Sequence, residues 1–186
     1  MATPARKIET GEIYHIISRG IDSKNIFLGE KDYFRFIHDM YEFNDENSAR
    51  DVTYYFQKFP DPAGQEMERK PRRLLVEILA FCLMPNHYHL LLRSSINGGV
   101  VKFISKLNSG YAKYFNTKYK RAGPLYQHRF KAVPISKEAH FIHIPYYIHC
   151  NPLDLITPEW REKRISRPGK AIEFLNNYRW SSHLDY

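Results

Sequence analysis

Two histidines, His87 and His89, stand one residue apart at the head of an apolar run, Pro85-Asn86-His87-Tyr88-His89-Leu90-Leu91-Leu92. In an extended strand successive side chains alternate between faces, so both imidazoles project one way and Tyr88 the other. Two parallel imidazoles on a rigid element can hold a metal ion if a third ligand arrives from elsewhere. By itself the triplet reads more simply as a strand carrying two ordinary surface histidines, in a chain that has nine. A second set lies far along the chain, where Tyr147 and Asn151 are four residues apart in a helical pattern. On a helix they lie ~40° apart around the axis and share a face, whereas Tyr146 is displaced by ~140° from Asn151. A phenol and an amide oxygen can then be presented together. The plainer reading is a capping asparagine before Pro152, with two tyrosines packed on a sheet.

The elements that must position these residues follow from periodicity. Glu12 to Ser18 is β-rich and stops at Arg19-Gly20. Lys31 to Phe43 carries Tyr33, Phe36, Ile37, Met40 and Tyr41 at helical spacing, with an acidic outer face of Asp32, Asp39 and Glu42. Leu74 to Leu83 is an apolar strand, joined through Met84-Pro85-Asn86 to a second strand from His87 to Arg93. After Gly98-Gly99 an amphipathic helix runs from Val100 to about Lys118, and Arg129 to Ile135 reads as a fourth strand. The order β-α-β-β-α-β predicts an α+β, ferredoxin-like antiparallel sheet with helices on one face. An added helix from about Lys137 to His149, capped by Ser136 and ended by Pro152, carries the tyrosine. Pro145 removes a helix hydrogen bond and meets the carbonyl of Phe141, so it is expected to begin or kink this helix. The stretch 44–72, with Phe59-Pro60-Asp61-Pro62-Ala63-Gly64 and a charge cluster after it, reads as a surface insertion or loop in a single domain spanning 1–186.

Composition narrows the partners. At 186 residues the chain can bury a real core, and 28 Lys and Arg against 20 Asp and Glu give a net charge of +8. From Arg93 to Lys137 there is no acidic residue at all, while basic side chains alternate with Phe103, Tyr111, Tyr114, Phe115, Tyr119, Tyr126 and Phe130. Cations neutralise phosphates and aromatic faces stack unpaired bases, a combination suited to single-stranded nucleic acid. Part of the aromatic set must be core, because Phe103, Leu107, Tyr111, Tyr114 and Phe115 recur at helical spacing. No apolar run reaches the length of a membrane helix, the N-terminus shows no apolar signal region, and Cys82 and Cys150 form no disulfide framework; a cytoplasmic protein is expected.

Taken together, the motifs resemble the HUH single-tyrosine transposases, and among them the REP-associated tyrosine transposases. The resemblance rests on Tyr14-His15-Ile16-Ile17-Ser18-Arg19-Gly20, Met84-Pro85-Asn86-His87-Tyr88-His89-Leu90, and Gly123-Pro124-Leu125-Tyr126-Gln127-His128-Arg129-Phe130-Lys131. Tyr147-Ile148-His149-Cys150-Asn151-Pro152 and Arg179-Trp180-Ser181-Ser182 complete it. It implies a divalent metal on His87 and His89 with Asn151 as third ligand, and Tyr147 as nucleophile. It implies nicking and strand transfer on single-stranded or hairpin DNA through a 5′-phosphotyrosine, by a monomer or homodimer. Imidazole ligands alone suit Zn²⁺; the resemblance implies Mg²⁺ or Mn²⁺. Arg19, Arg129 and Lys131 match family positions on or beside strands, and with Lys102, Lys106, Lys113 and Arg121 they form the expected DNA-binding set. His15 is expected to be packed or DNA-contacting, and not a ligand. A free tyrosine titrates near 10, so the nucleophile needs help losing its proton, and the sequence leaves the base open between water and a DNA phosphate. Two other readings keep the fold: a hairpin-binding regulator without cleavage, and an RNA-binding ferredoxin-like module.

Overall fold

The structure is a computed structural model, and it describes residues 8–47 and 72–186. Its sheet is built from β1 (Ile13–Arg19), β2 (Val76–Met84), β3 (His87–Ser94) and β4 (Lys131–Pro134), in the spatial order β2-β3-β1-β4 with all neighbours antiparallel. Helices α1 (Glu30–Glu42) and α2 (Gly99–Lys118) provide the two crossovers. This is the ferredoxin-like order that the sequence predicts, and each element lies within three residues of its expected bounds.

Alternation along β1 and β3 decides what each face does. Tyr14, Ile16, Tyr88, Leu90 and Leu92 point to one side and form the main core with Phe36, Met40, Phe103, Ile104, Leu107 and Tyr111 of α1 and α2. Tyr88 has no exposed surface and ends on a polar handle, its hydroxyl donating to Asn108 Oδ1 at 2.7 Å. The opposite face carries His15, Ile17, Arg19, His87, His89 and Leu91. It is covered by α3 (Glu138–Cys150), whose Ile144 and Ile148 pack on Ala80, Cys82, Met84 and Leu91. Helices therefore lie on both faces, the crossover pair on one and the tyrosine helix on the other.

Pro145 sits inside α3 and the helix runs through it, so the spacing of Tyr147 and Asn151 survives. Ser136 does not cap this helix. The N-cap is Lys137, one residue later, and it makes no side-chain cap hydrogen bond. Short 3-10 turns at Asn151–Leu155 and Pro158–Glu162 lead to α4 (Pro168–Asn177).

The C-terminal motif closes the β2 edge. Leu83 N–H donates to Trp180 O at 2.9 Å and Ser182 N–H to Phe81 O at 3.1 Å, extending the ladder past β2, while Trp180 stacks on Tyr33 at 4.5 Å. Most of the expected surface insertion, 48–71, lies outside the described residues. Its first residue is anything but surface: Asn44 is buried and caps β2, with Nδ2 donating to Val76 O and Oδ1 accepting from the Leu75 and Val76 N–H groups.

A candidate active site of three histidines, a tyrosine and an arginine

Antiparallel register brings the strand residues of the site together. Arg19 pairs with His87 and Ile17 with His89, so all four side chains share the face under α3, with His15 one step further along β1. Gly20 ends β1 where a side chain cannot fit: a Cβ there would collide with the Lys24 carbonyl oxygen and come within 2.8 Å of Ile26. The Gly20 N–H donates to Asn86 O at 2.8 Å, which ties the end of β1 to the turn that launches His87.

The imidazoles are arranged by their neighbours. His87 Nδ1 lies 2.6 Å from Asn86 Oδ1. An amide oxygen only accepts, so Nδ1 carries the proton and Nε2 keeps its lone pair. His15 Nε2 and His89 Nδ1 are 2.8 Å apart and the two rings stack at 5.0 Å. His89 Nε2 is buried and has no hydrogen-bond partner. If His89 donates from Nδ1 to His15, that orphaned atom is also a bare lone pair. Ring orientation through the second nitrogen is the usual arrangement at metal-ligating histidines. Burial, followed by the nearby Arg19 charge, pushes His87 down to about 4. Burial, followed by His140 and Lys131, does the same to His15. Burial also drives His89 well below its ordinary value, reinforced by its two imidazole neighbours. All three are neutral at pH 7, the form in which imidazole binds metals.

α3 delivers Tyr147 onto this cluster. Its ring centroid is 5.9 Å from His15 and 5.9 Å from His89, edge-on to both. Tyr146 turns outward and is 68% exposed. Asn151, fully buried at the end of α3, donates from Nδ2 to the Tyr147 carbonyl at 2.6 Å and accepts from Arg161 Nη2 at 3.1 Å on Oδ1. Arg161 Nη1 donates to the Tyr147 hydroxyl at 3.1 Å. Its other edge is gripped by Asp154, with Nε to Oδ1 at 2.9 Å and Nη2 to Oδ2 at 2.5 Å, and Trp160 Nε1 donates to the same carboxylate at 2.7 Å. Burial alone would raise Asp154, but the hydrogen bonds from Arg161 and Trp160 prevail and hold it below the usual carboxylate range. The Asp154 carboxylate in turn holds Arg161 firmly cationic.

The structure thus brings His87, His89 and Tyr147 together, and it connects Asn151 to them through the tyrosine and Arg161. Among the described residues no three His, Cys, Asp or Glu side chains converge to hold a metal by themselves. An amide ligand or phosphate oxygens must complete any coordination sphere. Asn151 Oδ1 spends one of two lone pairs on Arg161 and keeps the other.

The basic candidates divide between the two faces of the sheet. Exposed Arg19 is on the tyrosine side, as is exposed Lys131, which pairs with Ile17. Arg129 is exposed just before β4. Lys102, Lys106 and Lys113 belong to α2, across the sheet from Tyr147. Of these, Lys106 is tied to the Asp45 and Asn47 carbonyl oxygens. Arg121 clamps a turn through Asn116 and the Pro124 carbonyl oxygen.

Sequence reasoning missed Asp154, Trp160 and Arg161. Asp154 had a signal, because Tyr147, Asn151 and Asp154 follow i, i+4, i+7 spacing on one helical face. Arg161 had none, since it sits among Glu159, Glu162, Lys163 and Arg164 and looks like any solvated charge.

Residues 61–151, just under half of the 186-residue chain, match the family described as IS200-like transposases. The matched segment contains His87, His89, Tyr147 and Asn151. The transposase fold extends further than the matched segment. A REP-associated tyrosine transposase bound to a REP hairpin superimposes on 100% of this chain and 84% of its own, with a TM-score of 0.59 at 13% identity. A transposase of Deinococcus radiodurans R1 aligns over 80% of this chain and 95% of its own, with a TM-score of 0.43 and 15% identity. No curated protein matches the sequence. No helix among the described residues of this chain is long and apolar enough to cross a membrane.

Proposed function

We propose that the protein is a metal-dependent single-stranded DNA nickase and strand transferase that works through a 5′-phosphotyrosine on Tyr147. Its substrate is hairpin or repetitive palindromic DNA, a reading supported by the REP hairpin bound to its structural relative. The observation that carries the proposal is the contact of the Tyr147 ring with two buried, neutral imidazoles, one of which leaves Nε2 unpartnered. That unsatisfied buried atom, together with the His87 Nε2 lone pair, fits a divalent cation. His87 and His89 would hold Mg²⁺ or Mn²⁺, with Asn151 Oδ1 as the third protein ligand. Such a cation supplies charge neutralisation and orientation of the scissile phosphate.

The chain's own residues do the rest. Tyr147 Oη attacks phosphorus, the Tyr147 O–P bond forms and the P–O3′ bond breaks. The phenolic proton passes to solvent and the departing 3′-oxygen takes one up. Exchange of one phosphodiester for another allows a 3′-hydroxyl to reverse the step and rejoin DNA without ATP. Arg19 and Lys131 flank the tyrosine on its own face and hold the DNA backbone, which positions the strand without reading its sequence. Arg129 assists beside β4. The α2 lysines extend the positive surface on the far side.

The test is adduct formation. Single-stranded oligonucleotides carrying the host's palindromic repeats, incubated with Mn²⁺, should become attached to the protein through a bond that survives denaturation. Tyr147→Phe should bind the hairpin and form no adduct, and Tyr146→Phe should still form one. A Tyr147→Phe protein that becomes linked to DNA refutes the mechanism. Tight hairpin binding with no adduct in any metal selects the non-cleaving regulator.

A further inference from the structure

Arg161 lies beyond the family-matched segment, yet its Nη1 donates a hydrogen bond to the Tyr147 hydroxyl. A guanidinium has five N–H donors. Four are engaged among the described residues: Nε and one Nη2 hydrogen with Asp154, the other Nη2 hydrogen with Asn151 Oδ1, and one Nη1 hydrogen with Tyr147 Oη. The fifth is on Nη1, the same nitrogen that holds the phenol oxygen. The Arg161 side chain is 41% exposed, so that donor can be reached from solvent.

We propose that Arg161 is a catalytic residue that aims the Tyr147 oxygen, stabilises negative charge on it, and takes a non-bridging oxygen of the scissile phosphate on its remaining N–H. The proposal rests on Tyr147 being the nucleophile. It supplies what a phenol needs at neutral pH: a fixed cation on the oxygen that must shed its proton in cleavage and carry charge again as leaving group in rejoining. One nitrogen touching both nucleophile and phosphate also restricts the attack direction, which a freely rotating phenol on one helix cannot do. No new bond is added to the step already written; the arginine stays protonated throughout.

Asp154 is the positioning residue. Its bidentate grip fixes the guanidinium plane, and planar pairs of this kind add geometric specificity as well as strength. Trp160 fixes Asp154 from the other side, and its ring lies 5.0 Å under the guanidinium. Lysine cannot replace this arrangement, because an ammonium has no planar fork to bond Asp154, Asn151 and Tyr147 together.

The experiment is single-turnover adduct formation on an oligonucleotide that the wild-type protein cleaves, with hairpin affinity and melting temperature measured alongside. Arg161→Ala should slow the chemical step by about 100-fold or more, as loss of a donor to a developing oxyanion does, with hairpin affinity little changed. Added methylguanidinium should restore part of that rate, and sodium chloride at equal ionic strength should not. Asp154→Asn should slow the step too, and the double variant Asp154→Asn/Arg161→Ala should be no slower than Arg161→Ala. Full-rate adduct formation by Arg161→Ala, beside an inactive Tyr147→Phe, overturns this assignment and leaves the nucleophile intact. A slowed rate that methylguanidinium does not restore gives Arg161 a structural role and also overturns it. An adduct on Tyr147→Phe removes the reading on which the assignment rests.

Discussion

Acid should unfold this protein through its buried histidines. His15 and His87 are 5% and 6% exposed, and each is pushed from its ordinary 6.5 to about 4, burial being the largest cause in both. A group with a depressed folded pKa binds its proton more weakly in the native state. Its contribution to stability is therefore complete above 6.5, falls as the pH drops below that value, and is gone below about 4. At pH 5 the unfolded imidazole is almost fully protonated and the folded one hardly at all, so each histidine costs about 2 kcal/mol relative to pH 7.5. The pair costs about 4 kcal/mol, a large part of the 5–15 kcal/mol of a typical domain. His89 and His149, also depressed by burial, act in the same direction. Urea unfolding at pH 7.5, 6 and 5 in the presence of a chelator measures the effect, and His15→Gln should lose about 2 kcal/mol of the pH dependence. A wild-type protein whose stability is flat between pH 7.5 and 5, or a His15→Gln protein with the full pH dependence, would refute the argument.

Replacing His87 or His89 by alanine should abolish Mn²⁺-dependent nicking while hairpin binding persists, because phosphate contacts elsewhere carry most of the affinity; gel-resolved cleavage by both single variants at the wild-type rate would show the metal lies elsewhere. Hairpin affinity should fall with salt, by about 40-fold between 50 and 200 mM if Arg19, Arg129 and Lys131 each neutralise one phosphate. Fluorescence anisotropy across that range checks it, and a flat titration removes the electrostatic account. Asp32 and Asp39 are buried and not on an outer face of α1 as its spacing suggests, and Asp32, with no exposed surface, accepts from the Leu28 and Gly29 N–H groups, Tyr114, Tyr119 and Lys118. Asp32→Ala strands those donors and should cost about 3–5 kcal/mol in denaturant unfolding, leaving the residues around Tyr147 in place.

Local pattern was enough for the frame of this protein. Period-two alternation put His87 and His89 on one side of a strand with Tyr88 on the other, and helical spacing put Tyr147 and Asn151 on one face of α3. Each is a property of one backbone element, so it can be read along the chain without knowing what packs on it. The β-α-β-β-α-β order then restricted the sheet to few arrangements. Tertiary structure decided the rest, because it depends on which elements meet. α3 could have lain beside α1 and α2; the apolar stripe of Ala80, Cys82, Met84 and Leu91 on the other face of the sheet drew Ile144 and Ile148 there and set Tyr147 over the imidazoles. Antiparallel register, set by the ladder between β1 and β3, put His15 diagonally across from His89 on the same face, within hydrogen-bond reach. The turns after α3 folded Arg161 back onto Tyr147, eleven residues past the end of that helix. A charge in a charged stretch is distinguished only by what it touches, and contact of that kind is not written in any spacing.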